Sequence, residues 1–423
     1  MKSGCPSKRE VETKHIMKTS VPCALQTLVS VSEAIRRREV SPVEVVTACL
    51  DRIGRLQPQL NPFITIVADA ALQAAHKAER EIDQGRWKGP LHGIPVAIKD
   101  FYDTAGIRTT AAFEHFRERI PTKDAVSVER LKGAGAIVVG KTNMHTLGMG
   151  TTGLESCFGP VRNPWNAEYI PGGSSSGSAA AVASGLCYAT LDTDAIGSCR
   201  LPAACCGVVG FKGSYGAIDM NGILEGEQPP DDTIRWLSHA GLTTRSIQDT
   251  ALLLEVLAEP RATALSVTTP LRIGVADNFQ ADTEIAEAFR KAVATITGLG
   301  YVVSPAGAPF TDATIGTATI QADRQSIGRR MFSDIDVLVV PTTATATPTV
   351  KDAEKNALAL SPELTMFANY YGLPAVSVPC GFDSRGLPVG LQIVVNHGDD
   401  SDALRLASQY ETASGFANRY PIP

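Results

Sequence analysis

The sequence predicts an α/β protein, an α/β/α sandwich around one large mixed central sheet, and three observations point there. Strand-like apolar runs alternate with amphipathic helical stretches from residue 42 onward, the pattern of a layered sheet with helices on its faces. Two late apolar runs, 375–378 and 390–395, flank the turn Asp383-Ser384-Arg385-Gly386 and add an antiparallel pair. The 423 residues are 44 % hydrophobic and 20 % charged, enough for a large core, and hold neither an internal repeat nor a low-complexity linker. Residues 24–423 therefore read as a single domain behind a loose N-terminal tail, residues 1–23.

Each element follows from local chemistry. Ser41-Pro42-Val43-Glu44 joins an N-cap serine to proline at the first helical position and a glutamate three residues after the cap, so a helix is expected from Pro42 to about Arg55. An Ala-rich amphipathic stretch, 68–83, predicts a second. These two helices precede the expected first strand, 94–98, and Lys99-Asp100 stands at its end, where an open α/β sheet places its chemistry. A helix over 125–132 and a strand over 136–139 follow. The Gly/Ser turn 172–177 feeds an alanine helix to Ser184, and strands are expected over 188–191 and 207–211, with a helix over 246–257. The runs 271–275, 283–297 and 301–303 form a strand–helix–strand unit, and 337–340 is an apolar strand. Continuity is weakest over 259–270.

Charge and cysteine usage exclude several classes of function. A net charge of −5 and a pI near 5.9 offer no basic footprint for direct nucleic-acid binding. Nine cysteines at 5, 23, 49, 157, 187, 199, 205, 206 and 380 contain no CxxC pair, which argues against a disulfide framework or zinc site and fits a reducing cytoplasm. No HExxH occurs among the seven histidines, so no metal and no cofactor are expected. The first 23 residues carry Lys2, Lys8, Arg9, Lys14 and Lys18 but no signal-like apolar run, and Met17-Lys18 reads as well as a start as Met1-Lys2. No stretch reaches the roughly 18 apolar residues of a membrane span.

Two motifs mislead. Gly135, Gly140, Lys141 and Thr142 satisfy GxxxxGK[ST], yet the residues between the glycines are Ala-Ile-Val-Val, a strand rather than a loop of phosphate-binding N–H groups. Gly173-Ser174-Ser175-Ser176-Gly177 matches GxSxG, but a nucleophile elbow must follow a strand directly, and Tyr169-Ile170-Pro171 before it reads as loop. His239 and His397 are then ordinary surface or core histidines, not catalytic bases.

More informative are two hydroxyl-rich loops close in sequence, Gly172-Gly173-Ser174-Ser175-Ser176-Gly177-Ser178 and Asp192-Thr193-Asp194-Ala195-Ile196-Gly197-Ser198-Cys199-Arg200. Turn-making and helix capping explain many Gly/Ser clusters but leave Lys99 unexplained. Together with Gly93 to Asp100, Gly140 to Met144, Asn163-Pro164-Trp165, Gly207 to Lys212, Gly241 to Arg245, Leu373 to Pro379 and Gly386 to Gln392, these loops resemble the amidase signature family over nearly the whole chain from about residue 24. The resemblance implies a catalytic lysine at Lys99, a bridging serine at Ser174 on a cis peptide, and a nucleophile at Ser198. It also implies an oxyanion hole from the backbone N–H groups of Ala195, Ile196, Gly197 and Ser198, with Ser175, Asp194 and Arg200 in support.

The physics of such a set is demanding. A serine hydroxyl is a weak nucleophile until a base takes its proton, and a lysine can be that base only when burial lowers its pKa from about 10.4. Lys99 is therefore expected to be buried and neutral, and Asp100 to point away from it. The expected reaction is hydrolysis of a carboxylic amide to an acid plus ammonia or an amine through an acyl-Ser198, without a cofactor. The expected partners are a small-molecule amide and at most a second copy of the chain. The alternatives are an ammonia-supplying protein resembling the A subunit of glutamyl-tRNA amidotransferase, and a non-catalytic binding protein on the same fold.

Several residues depart from the family pattern. Ile196, Ser176 and Asp192 stand where glycine is usual, and Ile196 would be costly if its position required φ > 0. Cys199 replaces an isoleucine and reads as a small apolar core residue. The stretch 310–334, which in resembling members helps to wall the acyl pocket, is short here.

Overall fold

In a computed structural model that describes residues 26–228, 230–259, 270–310, 318–416 and 419–421, the chain builds one sheet with helices on both faces. The expected tail 1–23, most of the weak stretch 259–270 and part of the short stretch 310–334 lie outside the described residues. Helix α1 (Leu28–Arg36) was not foreseen, whereas α2 (Pro42–Leu60) carries the reciprocal Ser41–Glu44 capping box that starts it. The second predicted helix appears as α3 (Ala68–Asp83).

Strand β1 (Phe63–Ile66) corrects the expectation that the chain reaches its first strand only near residue 94. Next come β2 (Pro95–Lys99), α4 (Val126–Gly133), β3 (Ile137–Thr142), α5 (Ser176–Ala183), β4 (Ala189–Asp194), α6 (Arg200–Cys206), β5 (Val209–Lys212), α7 (Asp232–Leu237), β6 (His239–Thr244), α8 (Ile247–Leu257), β7 (Arg272–Ala276), α9 (Thr283–Gly298) and β8 (Val302–Ala306). The chain closes with α10 (Ile320–Met331), β9 (Val337–Pro341), α11 (Val350–Ala353), α12 (Met366–Tyr370), β10 (Ala375–Phe382), β11 (Pro388–Val395) and α13 (Asp400–Ser414).

Among the described residues, eleven strands form the sheet in the order β1-β3-β2-β4-β6-β5-β10-β11-β9-β7-β8. It is mixed, as predicted: β3, β2 and β4 run parallel, as do β9, β7 and β8, and antiparallel pairs join the two groups through β6, β5, β10 and β11. The late apolar pair is the hairpin β10–β11.

Side chains alternate between the faces. Val96 and Ile98 of β2 join a core with α1, α4, α8, α9 and α13, while Ala97 joins another with α2, α3, α5 and α6. Lys99 follows Ala97 onto the α5–α6 side. On β4, Leu191 faces the first core and leaves Thr190, Asp192 and Asp194 on the same side as Lys99. The strand ends thus gather polar residues under two short helices.

Candidate active site

Lys99 closes β2 and is fully buried. Its ammonium nitrogen reaches Ser174 Oγ at 2.8 Å, Ser175 Oγ at 2.9 Å and Thr193 Oγ1 at 2.9 Å, and among the described residues no carboxylate lies within ion-pair distance. A neutral amine has two protons to donate and one lone pair. Each hydroxyl can donate or accept, so three of them serve either protonation state without rearrangement. Burial lowers the amine to about 8, and the charges of Asp192, Cys199 and Asp194 act in the opposite direction. Lys99 is thus depressed as expected, but at neutral pH its charged form still prevails, since a group at about 8 releases its proton only as the pH rises through that value.

Asp100 points away, as the chemistry requires. Its Oδ2 accepts from the Thr110 N–H at 2.8 Å and the Thr110 hydroxyl at 2.6 Å, and its Oδ1 lies 3.7 Å from Lys141 Nζ.

The first serine loop is held by close backbone contacts. Gly172 has φ +78°, the Gly173–Ser174 peptide is cis, and a Cβ on Gly173 would meet the backbone of residues 151–153 at 2.9 Å. Ser174 O accepts from His145 N–H at 3.1 Å, and Ser175 N–H donates to Ser198 O at 3.0 Å. That last bond ties the two loops together and sets Ser198, 4 % exposed, beside the Lys99 cluster. Ser198 and Thr193, 9 % exposed, keep a little contact with solvent, whereas Ser174 and Ser175 are buried.

Ser198 sits in the turn between β4 and α6, which is shaped by Asp194. Asp194 Oδ1 accepts from Gly197 N–H at 2.8 Å, and Oδ2 accepts from Cys199 N–H at 3.1 Å and Arg200 Nε at 3.0 Å. Arg200 is fully buried and also donates to Gln392 Oε1 and Asn369 Oδ1, each at 2.6 Å. With the guanidinium beside it and these donors around it, the Asp194 carboxyl is held far below the usual carboxylate range.

Two expectations for the oxyanion hole change. The Gly197 N–H is committed to Asp194, so of the four expected donors it is taken out of the set by a bond within the turn. Ile196 does not occupy the left-handed region, so its side chain carries no backbone penalty there. The demand for glycine falls on Gly197 at φ +124°, where a Cβ would also collide with the Thr365 side chain. Cys199 packs as a core residue, fully buried with Sγ 3.1 Å from Leu242 O, and burial pushes its thiol well up.

Sequence reasoning missed Thr193 and Asn369. Thr193 is the third partner of Lys99. Asn369 on α12 donates to Asp194 O at 2.8 Å and Asp194 Oδ1 at 2.9 Å, across 175 residues of sequence. For Thr193, the signal available was its place on a strand end between two acidic residues; for Asn369, the sequence held none.

The misleading motifs resolve as the residues suggested. The GxxxxGK[ST] stretch is β3, and the GxSxG serines lie in loop and in the first turn of α5. His239 is buried on β6, and His397 is on a loop after β11.

Comparisons with known proteins bear on the family and the fold. A family model described as Amidase matches residues 44–322 and 311–404. The chain belongs to the amidase signature family. The two matches overlap at 311–322, within the stretch 310–334. Among curated relatives of this amidase signature chain, the A subunit of glutamyl-tRNA(Gln) amidotransferase from Carboxydothermus hydrogenoformans is 32 % identical over 483 aligned positions, covering 92 % of this chain and 98 % of its own. Its counterpart from Methylococcus capsulatus is 33 % identical and covers 94 % and 98 %. Of solved structures, 6-aminohexanoate cyclic dimer hydrolase complexed with substrate superposes with a TM-score of 0.80 at 26 % identity, over 94 % of this chain and 99 % of that one. The peptide amidase from Stenotrophomonas maltophilia does so with a TM-score of 0.80 at 25 % identity, over 95 % and 99 %. Among the described residues, no helix is long and apolar enough to cross a membrane.

Proposed function

We propose that this amidase signature protein hydrolyses a carboxylic amide through an acyl-enzyme on Ser198, with Lys99 as base and Ser174 as proton relay. One observation carries the reading: a fully buried amine held by three hydroxyls, rather than by a carboxylate, beside the loop that bears Ser198. Neutral Lys99 accepts the Ser174 proton while Ser174 accepts that of Ser198, and Ser198 Oγ bonds to the amide carbon. The tetrahedral oxygen takes hydrogen bonds from the backbone N–H groups of Ala195, Ile196 and Ser198, since that of Gly197 is held by Asp194. As the carbon–nitrogen bond breaks, Ser174 passes the proton to the leaving amine. Water then releases the acid by the same route in reverse, and Asp194 and Arg200 keep the turn in shape throughout.

Labelling with a fluorophosphonate, located by peptide mass spectrometry, together with ammonia or amine release from aliphatic, aryl and dicarboxylic amides, tests this. Ser198 is expected to be labelled, and labelling is expected to disappear in Ser198→Ala. A folded protein that leaves Ser198 unlabelled and hydrolyses no amide supports the non-catalytic alternative.

The names of the curated relatives favour a second reading, an ammonia-supplying component that works with protein partners. Glutaminase activity that appears only when a copurifying partner is present supports it; full activity of the isolated chain on other amides goes against it.

A further inference from the structure

We propose that Asp192, a buried carboxyl beside Lys99 on the adjoining strand, is a positioning residue that sets the pH at which the lysine becomes a base. The inference rests on the role of Lys99 given above and adds a residue that role does not use.

The strand register places the two side by side. In the parallel β2–β4 pair, Val96, Ala97 and Ile98 face Ala189, Thr190 and Leu191, so Lys99 and Asp192 are the next pair along, on the α5–α6 side of the sheet. Asp192 is fully buried. Its Oδ2 accepts from the Thr190 hydroxyl at 2.6 Å and the Thr243 hydroxyl at 2.7 Å, and its Oδ1 has no hydrogen-bond partner. Gly241 is its antiparallel partner on β6. A Cβ there would collide with Cys199 Cβ at 2.9 Å and touch Asp192 Cβ at an ordinary 3.4 Å, so glycine at this position makes room for Cys199, which packs beside Asp192.

The groups around Asp192 leave one cation in play. Lys99 faces it from β2, Tyr102 from the loop after β2, Cys187 from the residues before β4, Ser178 from α5, Cys199 from the turn before α6, and Thr243 from β6. Asp194, two residues on, is spent on Arg200. Tyr102 donates its hydroxyl to Asp192 O at 2.8 Å, and burial pushes its phenol well up, as it does the Cys187 and Cys199 thiols. Lys99 is therefore the positive charge that an ionised Asp192 meets.

Half-satisfied and out of contact with water, the carboxyl is raised above its usual range by burial and drawn back mainly by Lys99. It in turn favours the ammonium form of Lys99, against the desolvation that favours the amine. The result is a base that is buried enough to lose its proton but held back by a neighbour until the pH rises.

The pH dependence of kcat/KM for a neutral amide, and of Ser198 labelling by a neutral fluorophosphonate, tests the proposal in wild type, Asp192→Asn, Asp192→Ser and Thr243→Val. Removing the charge should move the midpoint of the acid limb down by about one pH unit, so that the rate well below the midpoint rises about tenfold relative to the plateau. Thr243→Val keeps the carboxyl but removes one donor that stabilises its ionised form, and should give a smaller shift in the same direction. A lower plateau with an unmoved midpoint in the Asp192 variants would mean a structural role only and overturn the proposal. Failure of both Asp192 variants to fold, with an unmoved midpoint in Thr243→Val, overturns it as well. Lys99→Ala in the same assay separates the two levels of inference. If it acylates like wild type, the base assignment falls; if it is inactive while the Asp192→Asn midpoint stays put, only the role of Asp192 falls.

Discussion

Two lysines on neighbouring strands, Lys99 of β2 and Lys141 of β3, are both fully buried, and burial lowers both to about 8. Their surroundings give them different work. Lys99 meets three hydroxyls, which exchange donor and acceptor roles and so tolerate a neutral amine. Lys141 Nζ donates to Tyr102 O at 2.5 Å and Thr109 Oγ1 at 2.6 Å and lies 3.7 Å from Asp100 Oδ1. A carbonyl can only accept, and a carboxylate favours a cation, so Lys141 keeps its proton and braces the loop after β2. The register shift between β2 and β3 pairs Lys141 with Ile98 rather than Lys99, which sends the two amines to opposite faces. A lowered pKa therefore does not identify a base; the partners that can take and return a proton do.

The comparison breaks most sharply at the proposed nucleophile. Ser198→Ala should lower turnover on the order of 10⁶-fold, the scale at which a serine hydrolase loses its attacking group, with the thermal midpoint close to wild type. Lys99→Ala should cost about 10²- to 10⁴-fold in kcat/KM at neutral pH; wild-type activity there would refute the base assignment. Lys141→Met should act on stability instead. By stranding Asp100 it should lower unfolding free energy by about 3 kcal/mol in denaturant titrations at neutral pH. That loss should shrink on acidification, because burial raises the Asp100 carboxyl and the protonated acid needs no cation. Equal losses of activity per folded molecule in the two lysine variants would erase the distinction between them.

A finer test is the wild-type pH profile. In the proposed mechanism the active form of Lys99 is the neutral one, so kcat/KM should climb with pH to a midpoint near 8 and fall away on the acid side. Smallest of all, Thr193→Val removes one of three hydroxyl partners and should cost about tenfold or less, roughly the net worth of one hydrogen bond between neutral groups. An effect as large as that of Lys99→Ala would make Thr193 a member of the proton path rather than a support.

Local chemistry made much of the scaffold legible. The capping box at Ser41 fixed the start of α2, and the Ala-rich periodicity delimited α3. Other elements carried too weak a pattern. β1 is only four residues long at the sheet edge, and β6, His239–Thr244, holds a glycine and small polar residues yet occupies the middle of the sheet between β4 and β5. It is stabilised by pairing on both sides rather than by its own propensity, which a single-sequence reading does not register.

Sequence alone determined which chemical groups this protein owns: two hydroxyl-rich loops, a lysine at a strand end and a glycine-dependent turn, all marked by local composition and spacing. Tertiary structure decided what those groups meet. It gave Lys99 hydroxyl partners, paired the chemically similar Lys141 with Asp100, committed the Gly197 N–H to Asp194, and brought Asn369 to that carboxylate. The reason is physical: side-chain identity is written residue by residue, whereas burial, register and the sign of a neighbouring charge arise only when strands distant in sequence lie side by side.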